Sequence, residues 1–298
     1  LLMAASALAD PPVNDPQAAL DLLDDFGGYF GRSGRLAGQA LKIRIGALQA
    51  LGRFDEADAL IEQLLQTDPT GAGAVMASLL EAMLQGPGQA AKGLPEGRPA
   101  AERTVRLAER LVDWAAAHSA QVLPEDALGL RLQLAKAYQQ AGKLDKALEV
   151  FNQCLRRDAE LNRQRGRQPE PTNSAVLAGQ AECLYQLGRY RQALEVFQRQ
   201  LYERAEPYSA IWWRAYLRSL QCHAALHASP RTAEQRQQAR QVLGRILQSI
   251  TARRQIDPQM GGAELASQFD QLERKVAAQL SALSPQAERA AAGTGSQD

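Results

Sequence analysis

The stretch "YQLGRYRQALEVF", residues 185–197, echoes "YQQAGKLDKALEVF" at 138–151. Aligned at one constant offset, Gly142 falls against Gly188, Ala147 against Ala193 and Phe151 against Phe197, with Tyr138 opposite Leu184. A third copy, "ALQALGRFDEADALIEQLLQTDP" at 47–69, places Leu48, Gly52, Ala57, Ile61 and Pro69 at the same relative positions. Recurrence at fixed internal offsets marks a stacked-repeat architecture, in which one supersecondary unit buries its apolar face on its neighbours.

Each copy has the physical pattern of two helices. In the 128–159 copy, Leu130, Leu134, Ala137 and Tyr138 recur at three- and four-residue spacing and form one buried stripe. Gly142 then suits the left-handed residue that ends a helix without a Cβ penalty. The second helix carries Leu144, Ala147, Leu148, Phe151 and Leu155 on its own stripe, with the small Ala147 permitting close approach and Phe151 filling the space beside it. No run of alternating apolar residues reads as a strand, so the fold class is all-α, an α-solenoid of stacked antiparallel helix pairs.

The pattern resembles the tetratricopeptide repeat (TPR). The second-helix half matches closely: Ala57 with Ile61, Ala147 with Phe151 and Ala193 with Phe197. The first-helix half is looser. The family's Trp place holds Leu41, Arg131 and Leu177, the Leu place Arg44, Leu134 and Gln180, the small place Ile45, Ala135 and Ala181, and the closing Pro survives at Pro69. The resemblance implies a right-handed superhelix, best expressed at 38–70, 128–159 and 174–206. Degenerate pairs over 1–30 and 72–118, the latter split by "GPGQAAKGLPEGRP", extend the repeat region to 1–206. Residues 207–280 read as three terminal helices, the last a cap, and 281–298 as a mobile tail.

Composition narrows the function. With 34 basic against 33 acidic residues, the chain lacks the footprint of a dedicated nucleic-acid binder. Its charge is graded, however. Residues 207–255 hold eight arginines and the single acid Glu234, while residues 1–70 are acidic, which suggests self-association through opposite ends or nucleic-acid contact through the basic part. Cys154, Cys183 and Cys222 form no disulfide pattern and favour a reducing, cytoplasmic setting. "LLMAASALAD" reads either as an internal helix of a longer protein or as the end of a signal peptide, which would imply a periplasmic or secreted protein. No run is long and apolar enough to span a membrane.

Candidate chemistry is sparse, and neither an enzyme activity nor a cofactor or metal is expected. His223 and His227 stand at i, i+4, but the adjacent Cys222 points away and no carboxylate completes a ligand set. The glycine clusters "GGYFGRSG" (27–34) and "GAGAVM" (71–76) lack a preceding strand and a Gly-Lys-Ser/Thr ending, and read as inter-helix loops. The adjacent Asp24 and Asp25 diverge on a helix, whereas acid/base chemistry needs convergence. "RRDAELNRQRGRQ" (156–168) reads as an arginine-rich linker able to grip phosphate or an acidic partner. Trp212 and Trp213 cannot both centre one stripe, so Trp212, near Arg214 and Arg218, is a candidate surface hot spot.

The resemblance implies a protein or peptide bound along the face made by the first helices. By register that face holds Gln39, Lys42, Gly46 and Gln49, then Leu132, Lys136, Gln139 and Gln140, then Ala178, Glu182, Tyr185 and Gln186. It is amide-rich and of mixed charge. The carboxylate clamp of chaperone-binding members needs Asn and Lys at several of these places, and only Lys42 and Lys136 fit. A scaffold or adaptor is the expected role, with an architectural spacer or self-associating arm of a larger protein as the alternative.

Overall fold

The computed structural model describes residues 2–9, 15–24, 35–67, 69–85, 98–168 and 172–283. Among them there is no strand, and the helices pack in antiparallel pairs as an all-α helical-repeat solenoid. The chain divides into two compact units, residues 1–172 and 173–298. The first holds α1 (Leu2–Ala9), α2 (Pro16–Leu23), α3 (Arg35–Ala50), α4 (Phe54–Thr67), α5 (Pro69–Gln85), α6 (Arg98–Ala117), α7 (Pro124–Gln140) and α8 (Leu144–Gln164). The second holds α9 (Ser174–Gln186), α10 (Tyr190–Glu195) running on as a π-helical stretch (Val196–Tyr202), α11 (Ala210–Leu226), α12 (Ala233–Ile256) and α13 (Ala263–Ala282). The cluster 27–34 and the tail from 284 onward lie outside the described residues.

The three sequence copies end their first helices in the same way. Gly52, Gly142 and Gly188 take φ of 74°, 71° and 72°. The residue after each glycine donates its backbone N–H to a carbonyl five positions back: Arg53 to Leu48, Lys143 to Tyr138 and Arg189 to Leu184, at 2.8–2.9 Å. The glycine itself donates to Gln49, Gln139 or Tyr185, so each end is a Schellman motif that satisfies otherwise orphaned carbonyls. The small and large partners are buried as the spacing requires, with Ala57, Ala147 and Ala193 at 0–1% exposure and Ile61, Phe151 and Phe197 at 0–4%. Replacing Ala147 or Ala193 with Leu is expected to overpack its crossing and cost ~1–3 kcal/mol, measured by urea denaturation. An unchanged midpoint would refute the register.

In the first unit, small residues let first helices lie close together. α5 opens "PTGAGAVMAS", and a Cβ on Gly73 would stand 3.0 Å from Asp126 Cβ and 3.3 Å from Val122 Cγ1. Gly38 comes as near to Val75 on the other side. The expectation of a loop at 71–76 is thereby corrected: the glycines sit within α5, where tertiary contact outweighs the ~1 kcal/mol local penalty of a helical glycine. The N-terminal pair also folds onto this unit, with Ala5, Leu23 and Ala40 forming a buried cluster.

A second correction concerns 156–168, where α8 runs on to Gln164 and only the last residues leave the helix. Its apolar face continues through Leu161. The buried Asp158 accepts a hydrogen bond from the Thr172 backbone N–H at 2.7 Å, and Asn162 donates to Thr172 Oγ1 at 3.2 Å. These bonds tie the returning chain to the helix, and an arginine-rich composition alone does not reveal them.

The second unit is organised around α11, whose start is capped by Ser209, while Thr232 and Gln235 form a capping box on α12. Trp213, Leu217, Leu220 and Ala224 enter the core with Leu243, Ile246, Ile250, Phe269 and Val276. Trp212 is also buried, at 5% exposure, so the surface hot-spot expectation fails for this residue. The reason is geometric: α11 has neighbours on several sides, and Tyr202 of the π-helical stretch and Tyr208 meet the Trp212 ring at 4.8 and 5.2 Å. Arg253 lies 5.1 Å over the same ring, while Arg214 remains exposed.

Candidate partner-binding face

In the second unit, α9, α11 and α13 present one polar groove of about 690 Å³. It is lined by Tyr185 from α9, Arg218 and Gln221 from α11, and Ser267, Gln268, Gln271 and Lys275 from α13, over an apolar floor that includes Ala224 and Leu272. The floor follows from the core stripes of α11 and α13, and the next face of each helix supplies the polar rim.

Arg218 is held on every side. It makes a two-point ion pair with Glu182 at 2.9 Å, donates to Gln221 Oε1 at 2.7 Å, and lies 5.1 Å from the Tyr185 ring centroid. Its charge is thus balanced within the wall, and the pair stiffens the α9–α11 side of the groove. Burial raises the Tyr185 phenol above its ordinary value while Arg218 opposes the shift, so at neutral pH the hydroxyl is a neutral donor and acceptor. Gln268 donates to Glu264 at 3.4 Å. Ser267, Gln271 and Lys275 have no hydrogen-bond or ion-pair partner among the described residues, which leaves amide, hydroxyl and ammonium groups free at the rim.

The sequence-derived positions fare unevenly. Glu182, Tyr185 and Gln186 come together on one turn of α9, Gln186 donating to Glu182 at 3.3 Å, with the half-buried Ala178 two turns earlier. In the first unit, Gln49, Lys136 and Gln139 are half-buried and Gly46 faces open space. Leu132 is buried at 9%, Lys42 Nζ donates to Ser78 Oγ at 2.6 Å, and Gln140 donates to the Leu84 carbonyl at 2.7 Å. Close packing of α5 against α3 and α7 uses these side chains between helices. The sequence reading placed Arg218 beside Trp212 and not in this groove, and missed Gln221, Gln268, Gln271 and Lys275, all on helices it had assigned to the terminal group; the polar faces beside their apolar stripes were the available signal.

Other candidates resolve structurally. His227 Nδ1 is 2.9 Å from the His223 carbonyl, and among the described residues no three His, Cys, Asp or Glu converge as metal ligands. Cys154, Cys183 and Cys222 are buried free thiols, each pushed by burial up to about 12, so they are protonated and shielded. Several arginines of the basic stretch 207–255 are engaged inside their own unit. Arg218 pairs with Glu182, Arg254 with Glu273 and Asp270, Arg253 stacks on Trp212, and Arg240 donates to the Leu283 carbonyl. No helix among the described residues is long and apolar enough to cross a membrane.

Schellman-ended helix pairs and small-on-large crossings define a helical-repeat fold. Comparison with protein families agrees: residues 128–161 and 176–208 each match the tetratricopeptide repeat. These two stretches are similar to a repeat that generally mediates protein–protein interaction and is typically non-catalytic. No match to a curated protein was found.

Proposed function

We propose that the protein is a non-enzymatic scaffold or adaptor that binds an extended protein segment in the groove of α9, α11 and α13. The observation that carries this reading is the free rim over an apolar floor: Ser267, Gln271 and Lys275 offer both donors and acceptors to a peptide backbone, while Leu272 and Ala224 take side chains. An extended segment presents alternating carbonyls and N–H groups, and an amide-rich wall satisfies both. With Arg218 already balanced by Glu182, the wall does not single out a strong anion. A groove of this polarity suits micromolar affinity, about −8 kcal/mol.

Peptides selected from a random displayed library against the full chain provide the test. Substituting Tyr185, Gln271 and Lys275 together by Ala should weaken the selected peptides at least tenfold. Alanine at the exposed Gln192 and Gln198 of α10 and its π-helical continuation should leave them unchanged. Selected peptides that bind the groove variant as well as the native chain would remove this face as the site.

A further inference from the structure

A second cavity, of about 390 Å³, lies in the first unit between the end of α6, the turn into α7, and α8. Its apolar side is made by Ala115, Ala116, Val122, Pro124 and Ala127, and its polar side by Arg131 of α7 and Arg157 and Gln153 of α8, with Ser119 at the turn. The cavity has a sequence origin. Arg131 occupies the place where the repeat pattern puts Trp, and the alanines around it leave unfilled the room a large ring would take.

The two guanidiniums are unusual in their unit. Its other half-buried arginines with described side chains are all engaged: Arg44 with Asp24, Arg103 over the Phe54 ring at 3.4 Å, and Arg110 with Asp58 and Glu62. Arg131 and Arg157 are half-buried too, yet among the described residues neither makes a hydrogen bond, ion pair or ring contact. Nearby acids are used elsewhere. Asp158 holds the Thr172 N–H, Glu125 pairs with Arg165, and Glu160 pairs with Arg163. Two like charges lining one partly desolvated cavity repel each other, and an anion bound between them reverses the sign of that interaction.

We propose that this cavity is a binding site for a small organic oxyanion, a carboxylate or phosphate ester on a short apolar stem. Arg131 and Arg157 take the oxyanion, Gln153 and Ser119 supply further hydrogen bonds, and the alanine, valine and proline wall accommodates the stem. The volume falls in the range of small-ligand pockets, roughly 300–1,000 Å³. The site is separate from the peptide groove, and either can fail without the other.

Arginine side-chain Nε–H resonances of the chain report binding directly. Butyrate, butyl phosphate and inorganic phosphate are titrated at constant ionic strength made up with chloride. The expected result is saturable shifts of Arg131 and Arg157, with the stem-bearing probes binding at least fivefold more tightly than inorganic phosphate. The preferred arm, butyrate or butyl phosphate, assigns the head group. Arg131→Gln and Arg157→Gln should each weaken binding at least tenfold, whereas Arg156→Gln, at the exposed neighbour, should not. Ala127→Leu, which keeps both arginines and fills the cavity, should abolish the advantage of the stem. Shifts that grow without saturating, or equal losses in Arg156→Gln and Arg157→Gln, would overturn the proposal.

Discussion

Gly261→Ala is expected to destabilise the second unit by ~2–5 kcal/mol, combining a left-handed backbone penalty with overpacking. Gly261 sits in the turn between α12 and α13 at φ 82°, and a Cβ there would lie 2.6 Å from both Trp213 Cδ1 and Cγ. The ring cannot retreat. Trp213 is 1% exposed and meets Phe269 edge-on at 5.9 Å, so movement would be passed to the core shared by α11, α12 and α13. The buried Cys183 and Cys222 provide the readout, since thiols held protonated by burial label only when the structure opens. A lower urea midpoint and faster labelling of both cysteines are expected. A native-like midpoint would mean that the turn and Trp213 are not packed as described.

Phe151→Ala should have an effect of similar size in the first unit, ~3–5 kcal/mol for a buried phenylalanine. Phe151 has no exposed surface and fills the space beside Ala147 on α8. Its loss leaves a cavity that neither α7 nor α8 can collapse without losing the close approach at Ala147. Cys154, one turn further along the same helix, reports the opening through its labelling rate. The exposed Gln153 is the control, and Gln153→Ala should stay within ~0.5 kcal/mol of the native chain. Equal behaviour of the two variants would contradict the assignment of Phe151 to the repeat core.

The parts of the fold that could be read in the sequence are those where local chemistry and tertiary packing agree. Gly52, Gly142 and Gly188 end helices because no other residue takes that conformation as cheaply. The small-then-large pairs Ala57/Ile61, Ala147/Phe151 and Ala193/Phe197 are buried because a helix crossing needs both. Misreadings arose where the two conflict. Gly73 looks like a loop residue until α7 packs so near that a Cβ there would stand 3.0 Å from Asp126 Cβ, and the charged end of α8 looks like linker until Asp158 and Asn162 find Thr172.

Trp212 shows a different limit. Adjacent tryptophans must diverge, which is sound for a helix packed on one side, but α11 is packed on several and buries both. The groove was half legible for a related reason. Glu182, Tyr185 and Gln186 follow from repeat register on α9, while the opposing wall of Ser267, Gln271 and Lys275 lies on α13, beyond the last copy of the repeat.

The central claim, that a protein segment docks on the face shared by α9, α11 and α13, is most directly tested by hydrogen exchange of the full chain with and without a display-selected peptide. The account predicts slowed exchange in α9, α11 and α13 at the helical turns that carry Tyr185, Gln221 and Gln271. Protection confined to α10 and α12 would contradict it.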